Sequence, residues 1–371
     1  MKKKSKFKQS VAGFARTLLG LVFIVSGFVK AIDPLGTVYK IEDYLKAFGG
    51  FFTELLPFAT VAAVGMIALE FVLGICMLLN IRTQWTSWLA LVFYLVMTPL
   101  TLYIAINNPV SDCGCFGDAI VISNWQTFGK NVVLLLLAII LVVWRKHTNQ
   151  LWHNAVEIII FVLATGAVGG LMAYTYNHLP LIDFRPYKIG NNIPELMAWP
   201  DNAEQDQYET TFIYSKNGVE HEFTLENYPQ DDDSWTFVRQ ESTLIKKGYE
   251  PPIHDFEIFN TMDEDITEDI LSSTEPVTLV VMYDLNKADK TQLNKVDALY
   301  DNCISNGEQC YILTGSSTDE IIAFNLEHPN LSEAMCTCDP VTLKTIVRAN
   351  PGVFVVKDGI IIDKYNVRNR N

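Results

Sequence analysis

Five long apolar segments limit what this chain can fold into. They fall at about residues 10–32, 57–80, 86–106, 128–144 and 155–176. Each is long enough to cross a hydrocarbon core of roughly 30 Å as a helix. The lysine-rich start is followed by an apolar run too long for a signal peptide and by no small-residue cleavage site. The sequence therefore predicts five membrane-spanning helices, the first of them retained.

Basic residues in the short loops predict how these helices cross the membrane. They precede the first span and recur at Arg82, between the second and third spans, and at Arg145, after the fourth. Because cytoplasmic loops are enriched in Lys and Arg, these ends are expected to face the cytoplasm. Residues 177–371 and the loops 33–56 and 107–127 then lie outside it. We expect an inner (plasma) membrane protein with a periplasmic C-terminal domain.

The net charge of −14 is concentrated in one half of the chain. Residues 1–176 carry 13 basic and 8 acidic side chains, whereas residues 177–371 carry 15 basic and 34 acidic ones. A domain this acidic is repelled by phosphate backbones. The expected partners are therefore membrane lipid and other membrane or periplasmic proteins, and not nucleic acid.

Ionisable residues within the predicted spans are candidates for function. Arg16 and Glu70 are expected to pair near the cytoplasmic side, and Lys30 and Asp33 lie near the outer end of the first span. Charged groups at membrane depth are expensive, so a role in proton or quinone handling stays open beside a structural ion pair.

The fifth span contains a GxxxG spacing. Gly166 and Gly170 permit the close approach of another helix. Packing within the bundle is expected, with contact to another protein as the alternative.

The sharpest local motif is Cys113-Gly114-Cys115, in the loop between the third and fourth spans. On the outer face of the membrane disulfides persist. A bond across one intervening residue closes a small strained ring, and strained disulfides are more oxidising. Cys113 and Cys115 are therefore a candidate redox pair, with a structural staple or two unpaired thiols as alternatives. Zinc is disfavoured, because it needs four ligands and no His lies close in sequence.

The membrane half resembles the DoxX/MauE family over about residues 10–145. The resemblance rests on these residues: Arg16, Ser26, Gly27, Lys30, Asp33, Pro34, Glu70 and the segment 113–117. It implies a four-helix membrane bundle, to which this chain adds a fifth span. It also implies a link to thiosulfate:quinone oxidoreduction for DoxX and to disulfide-dependent maturation of methylamine dehydrogenase for MauE. The fifth span and the long C-terminal extension depart from the four-span members, so the methylamine role is not carried over.

Residues 177–250 are expected to form a connector and a hairpin-like element, set apart from a first domain at 1–150 and a fifth span at 151–176. Prolines punctuate the connector, and strand-like runs at 210–214 and 222–225 flank a turn. The acidic run at 231–233 is expected to be a solvated loop, because adjacent acids lack the alternating spacing of a calcium loop.

Residues 251–371 alternate between strands and helices, which predicts an α/β domain. The predicted strands are 256–259, 277–283, 310–314, 353–357 and 360–365, and the predicted helices are 264–271, 292–305, 318–326 and 340–348.

This order resembles the thioredoxin-like fold, with a TlpA-type entry at 252–256. Pro351 stands where that fold keeps its cis-proline. No Cys-x-x-Cys follows the strand that ends at Tyr283. The resemblance therefore implies a domain that binds protein partners along the Pro351 loop without reducing them there.

The remaining cysteines suggest further pairs. Cys336 and Cys338 are a second candidate redox pair, predicted to exchange electrons with the membrane pair through mixed disulfides. Structural pairing is the alternative. Cys303 and Cys310 are expected to form a structural disulfide, and Cys76 to be a packing residue inside the second span.

Two functions are consistent with the sequence, and enzymatic activity stays open. One is a thiol:disulfide oxidoreductase that passes electrons towards a quinone during periplasmic protein maturation. The other is a non-enzymatic scaffold or accessory subunit of an envelope assembly or secretion complex. A transporter is disfavoured because no pair of broken helices is evident. No metal or nucleotide site is expected, and quinone is the one candidate cofactor.

Overall fold

The structure is a computed structural model that describes residues 2–110, 114–148, 152–229, 232, 234–246 and 248–370. A helical bundle is followed by an α/β region. The helices are α1 (Lys2–Ile32), α2 (Pro34–Phe48), α3 (Ala59–Leu78), α4 (Thr83–Asn107), α5 (Asn124–Trp144), α6 (Asn154–Asn177), α7 (Ile193–Met197), α8 (Thr267–Leu271), α9 (Leu293–Asn306), α10 (Thr318–Glu327) and α11 (Pro340–Ile346).

Within the described residues, five helical segments are long and apolar enough to cross a membrane. They contain α1, α3, α4, α5 and α6, and α3 is preceded by a 3-10 helix at Gly50–Phe58. The prediction of five membrane-spanning helices is therefore confirmed in number and order. Below, the end of the bundle where α1 begins is called the basic face, and the end where α1 finishes is called the domain face.

Glycines let α1 and α3 pack closely as an antiparallel pair. A Cβ atom on Gly27 would lie 2.5 Å from the backbone nitrogen of Phe71, and one on Gly74 would lie 2.6 Å from that of Ile24. A larger residue at either position would clash with the backbone of the facing helix. This packing sets Ser26 of α1 at the level of the residue before Phe71, which is Glu70.

The loop predicted at 33–56 is largely helical. Asp33 caps α2 by accepting a hydrogen bond from the amide of Gly36 at 3.0 Å, and Pro34 occupies the first turn. Both are favourable at a helix start. Helix α2 lies at the domain face and contacts α3.

The prediction that the GxxxG glycines pack within the bundle is wrong. Helix α6 contacts the bundle through Ala164, Val168 and Met172. Gly166 and Gly170 are exposed, and a Cβ atom on either would meet nothing within 4 Å. The two glycines therefore lie away from the helices of this chain.

Among the residues that the structure describes, eight strands form two sheets. They are β1 (Gln207–Lys216), β2 (Val219–Thr224), β3 (Thr236–Lys246), β4 (Val277–Val281), β5 (Gln309–Thr314), β6 (Met335–Thr337), β7 (Gly352–Lys357) and β8 (Ile360–Asn366). The first sheet is antiparallel with the order β2-β1-β3. It contains the predicted hairpin and a third strand that the sequence did not predict. Of the acidic run before β3, residues 231 and 233 lie outside the described residues.

The second sheet has the order β6-β5-β4-β7-β8. Strand β4 pairs in parallel with β5 and antiparallel with β7, and β8 completes a hairpin with β7. Successive residues of β4 enter two hydrophobic cores: Leu279 packs in one and Val280 in the other. Burial on both faces explains the continuous apolar run of this strand. The Asn350–Pro351 peptide bond is cis, as the resemblance implies.

One predicted strand of this region is wrong. Residues 256–259 form no strand of the sheet, since Phe259 makes only isolated bridges to Asp265 and Thr337. The edge position next to β5 belongs instead to β6, three residues that the sequence did not predict as a strand.

Candidate functional site

A cavity of about 190 Å³ lies at the domain face, between the bundle and the connector that follows α6. Its wall is mostly apolar, with side chains such as Phe23, Phe93 and Met97. The polar lining groups are Ser26, Lys30, Asp33, Thr37, Lys40, Tyr44, Glu70, Tyr94, Asp118, Lys130, Asn131, Asp183 and Arg185, and Cys115 also lines the cavity. A largely apolar cavity with a few convergent polar groups is the usual form of a small-molecule site.

A buried ion pair forms the floor of this cavity. The ammonium nitrogen of Lys30 lies 2.7 and 2.9 Å from the two carboxylate oxygens of Glu70, and each side chain is at most 6 % exposed. Charges at membrane depth are tolerated when they pair in this way. Lys30 of α1 and Glu70 of α3, both identified from the sequence as candidates, therefore contact each other.

The predicted pairing of Arg16 with Glu70 is wrong. Arg16 donates hydrogen bonds to the carbonyl oxygens of Met77 and Leu78, the latter at 3.0 Å, at the C-terminal end of α3. Arg16 precedes Ser26 by ten positions, which separates it from the level of Glu70 by about 15 Å along the helix axis. Arg16 thus satisfies helix-terminal carbonyls at the basic face.

Ser26 connects the ion pair to the loop that carries the Cys-Gly-Cys motif. Its hydroxyl oxygen lies 2.7 Å from a carboxylate oxygen of Glu70 and 2.6 Å from the carbonyl oxygen of Cys115. Both partners are acceptors, so they compete for the one hydroxyl proton. Cys113 lies outside the described residues. Through Ser26, the backbone of Cys115 is therefore joined to the buried ion pair.

Arg348, just after α11, ties the α/β region to the bundle. Its guanidinium lies 2.8 Å from a carboxylate oxygen of Asp33 and 3.1 Å from one of Asp118. Burial lowers the pKa of Arg348, but the two carboxylates outweigh burial and hold it above the ordinary value. Because Asp118 follows the Cys-Gly-Cys turn by three residues, this contact connects the α/β region to the redox candidate.

A second contact between the bundle and the α/β region lies just after β4. The hydroxyl of Tyr39 in α2 lies 2.9 Å from that of Tyr283, which follows β4. Burial raises the pKa of both phenols, so both are neutral near pH 7. The residues after Tyr283 begin a short 3-10 turn at Leu285–Lys287. Helix α2 of the same chain therefore covers this end of β4.

The Pro351 loop also faces the bundle. Pro351 lines a small cavity together with Leu35 of α2 and Tyr176 of α6. The surface that the sequence predicts for partner binding is thus adjacent to helices of its own chain. Partner binding along this loop stays a prediction.

Cys336 and Cys338 lie in the core of the α/β region. Their exposed fractions are 2 % and 7 %, and burial raises the pKa of each thiol to about 12. Neither lines the cavity that contains Cys115. The predicted electron relay between the two cysteine motifs is untested, and the burial of these thiols weighs against it.

Cys303 and Cys310 carry thiols and not the predicted structural disulfide. The two side chains are hydrogen-bonded neighbours, and burial raises the pKa of both.

The buried state of Cys336 and Cys338 predicts low reactivity. In the folded protein at about pH 8, both should react with iodoacetamide on the order of 100-fold more slowly than in urea, because the thiolate is the nucleophile. Since folding raises their pKa, the stability they contribute is full below the unfolded pKa of about 8.5 and is lost as the pH rises towards 12. Peptide-resolved mass spectrometry measures both rates, and equal rates would contradict the burial.

Several site residues were not predicted from the sequence. They are charged or polar side chains with no local motif around them: Tyr39 and Lys40 in α2, Lys130 in α5, Asp118 in the loop before α5 and Arg348 after α11. What identifies them as site residues is contact with residues from other elements, and only the tertiary structure shows such contacts.

Two family models match this chain. Residues 8–144 match the family described as methylamine utilisation protein MauE, and residues 208–247 match DUF8463, a domain of unknown function. The first match covers α1 to α5 apart from the first residues of α1, and the second covers the three-stranded sheet. The predicted resemblance to MauE is confirmed for the membrane half. No curated protein and no solved structure matches the chain.

Proposed function

We propose that this membrane protein, whose residues 8–144 resemble MauE, exchanges thiols and disulfides at Cys113 and Cys115 during periplasmic protein maturation. The observation that carries the proposal is the position of Cys115. It lines a membrane cavity and is joined through Ser26 to the buried Lys30–Glu70 pair. A loop disulfide with a purely structural role needs no buried ion pair next to it.

The thiol exchange has two steps. A substrate thiolate attacks the Cys113–Cys115 disulfide, the S–S bond breaks, and a mixed disulfide forms. A second substrate thiolate then displaces the protein sulfur, so the substrate leaves oxidised and Cys113 and Cys115 are left as a dithiol. Two electrons and two protons have entered the site, and an acceptor must remove them.

The cavity fits an acceptor of the quinone class. Its apolar wall suits a ring, and Lys30 and Tyr94 offer hydrogen-bond donors to a carbonyl oxygen. A bound quinone would supply the sink for two electrons and two protons. The Lys30–Glu70 pair would lie beside it, where Lys30 donates a hydrogen bond to Glu70 and Glu70 accepts one from Ser26.

The α/β region is proposed to be a thioredoxin-like domain without redox chemistry of its own. Support comes from the order of β5, β4, β7 and β8, with a terminal antiparallel hairpin after the Pro351 loop. The missing Cys-x-x-Cys and the contact between Tyr39 and Tyr283 favour a covering role over a catalytic one. In this proposal the domain is periplasmic and closes the domain face of the bundle.

A scaffold function is the second candidate. Arg348 clamps the α/β region to the bundle, and Cys336 and Cys338 are buried in its core. Both features suit a rigid platform for partners of an envelope complex. If the protein is a scaffold, substitution of Cys115 should not change its function.

Substitution of Cys115 tests the proposal. The Cys115→Ser variant, reconstituted in lipid vesicles with a soluble ubiquinone analogue and a reduced unfolded protein, should lose quinone reduction to the background rate, because the disulfide can no longer form. Cys76→Ser is the matched control and should keep the wild-type rate, since Cys76 lies in α3 away from this cavity. Wild-type protein without quinone reduction, or an active Cys115→Ser variant, would reject the redox function in favour of the scaffold.

A further inference from the structure

Two lysines from different helices flank the turn that contains Cys115. A Cβ atom on Gly114 would lie 3.0 Å from Cγ and 3.4 Å from Cε of Lys40, so the Lys40 side chain runs along the turn. On the other side, the ammonium nitrogen of Lys130 lies 4.5 Å from the ring centre of Phe116. Both lysines line the same cavity as Cys115. They reach it from α2 and α5, respectively.

Each of the other charged groups that line the cavity contacts a group of opposite charge. Glu70 pairs with Lys30, and Asp183 pairs with Arg185. The two remaining lining carboxylates, Asp33 and Asp118, both contact Arg348. The phenol of Tyr94 also faces this space. Each lining carboxylate within the described residues therefore has a cation against it, although Asp33 and Asp118 share Arg348. With Lys40 and Lys130 included, these groups comprise five cations and four carboxylates, so their summed charge is positive.

We propose that Lys40 and Lys130 stabilise the thiolate of Cys115, so that Cys115 is the sulfur that leaves when a substrate attacks Cys113. The inference rests on the thiol exchange proposed above and assigns the two sulfurs different roles. When a substrate thiolate bonds to the Cys113 sulfur, the S–S bond breaks and its electron pair passes to the Cys115 sulfur. Leaving thiolates depart faster when positive charge stabilises them. The mixed disulfide with substrate then forms at Cys113.

Alkylation of Cys115 in reduced protein tests this role without requiring turnover. In a Cys113→Ser background, Cys115 is the sole cysteine of its segment, and its reaction with iodoacetamide can be followed by peptide-resolved mass spectrometry. Lys40→Gln and Lys130→Gln should each slow the reaction near neutral pH by about fivefold, the effect of roughly 1 kcal/mol of lost charge stabilisation. Near pH 11 the rates should match the parent, because the thiol is then ionised in every variant.

Two controls separate charge from structure. Lys40→Arg and Lys130→Arg should keep the parent rate, and Lys46→Gln, which removes an exposed lysine from the same helix α2, should also keep it. Unchanged rates in Lys40→Gln and Lys130→Gln at neutral pH would overturn the proposal. Rates that fall equally at all pH values would also overturn it, since they would indicate altered access. Neither outcome bears on whether the pair turns over with quinone, which the Cys115→Ser experiment decides.

Discussion

Lys30→Met should be the most destabilising single substitution in the membrane half. It leaves the carboxylate of Glu70 buried beside Ser26 without its cation. Breaking a buried pair by removing one partner costs about 3–5 kcal/mol. We therefore expect a large fall in the folded fraction of purified protein, measured by thermal unfolding in detergent.

The double variant Lys30→Met/Glu70→Met provides the control for this prediction. Removing both charges leaves neither buried alone, so most of the lost stability should return. Lys6→Met, at the exposed start of α1, should have little effect. A single variant as stable as wild type, or a double variant no better than the single one, would contradict the buried pair. Loss of quinone reduction in a stable double variant would further support a role for this pair in the proposed redox function.

Arg348→Ala should release the α/β region from the bundle. Arg348 is 7 % exposed and holds two carboxylates from different bundle segments, Asp33 and Asp118. Truncating one partner of a buried hydrogen-bonded charge pair costs about 2–5 kcal/mol, which predicts a rise of at least about tenfold in transient opening. Because the opened state exposes the cavity, a bulky maleimide should label Cys115 faster in this variant.

An exposed arginine serves as the control for the contact of Arg348 with Asp33 and Asp118. Arg239 makes two ion pairs in the three-stranded sheet, with Glu220 and Glu241, but its side chain is 49 % exposed. Arg239→Ala should therefore leave the labelling of Cys115 unchanged. Equal labelling in Arg348→Ala and wild type would show that Arg348 does not control access to the cavity.

The elements that the sequence predicted correctly have strong local signals. Long apolar runs identify membrane spans, because few other structures satisfy the backbone in hydrocarbon. Asp358 and Gly359 predicted the turn between β7 and β8, and both residues have positive φ angles there. The missed elements lack such signals: β3 is exposed along its whole length, so no alternation of apolar and polar residues identifies it.

The sequence also predicted some features of the candidate site and missed others. The sequence by itself determined that Cys115 lies in a loop between two spans and that Lys30 and Glu70 carry charge at membrane depth. It assigned Glu70 to Arg16, because hydropathy gives the depth of a residue only approximately and says nothing of helix rotation. The close approach of α1 and α3 at Gly27 and Gly74 decided which side chains meet.

Only the tertiary structure decided that the connector lines the cavity and that Arg348 holds the α/β region against two residues of its wall. Arg348 reaches Asp33 across more than 300 positions of sequence, and no local pattern records such a contact. Local composition determines the elements of this protein, since helix and strand formation depend on neighbouring residues. The site depends on how those elements pack, because its charges are stable only where distant segments bring their partners together.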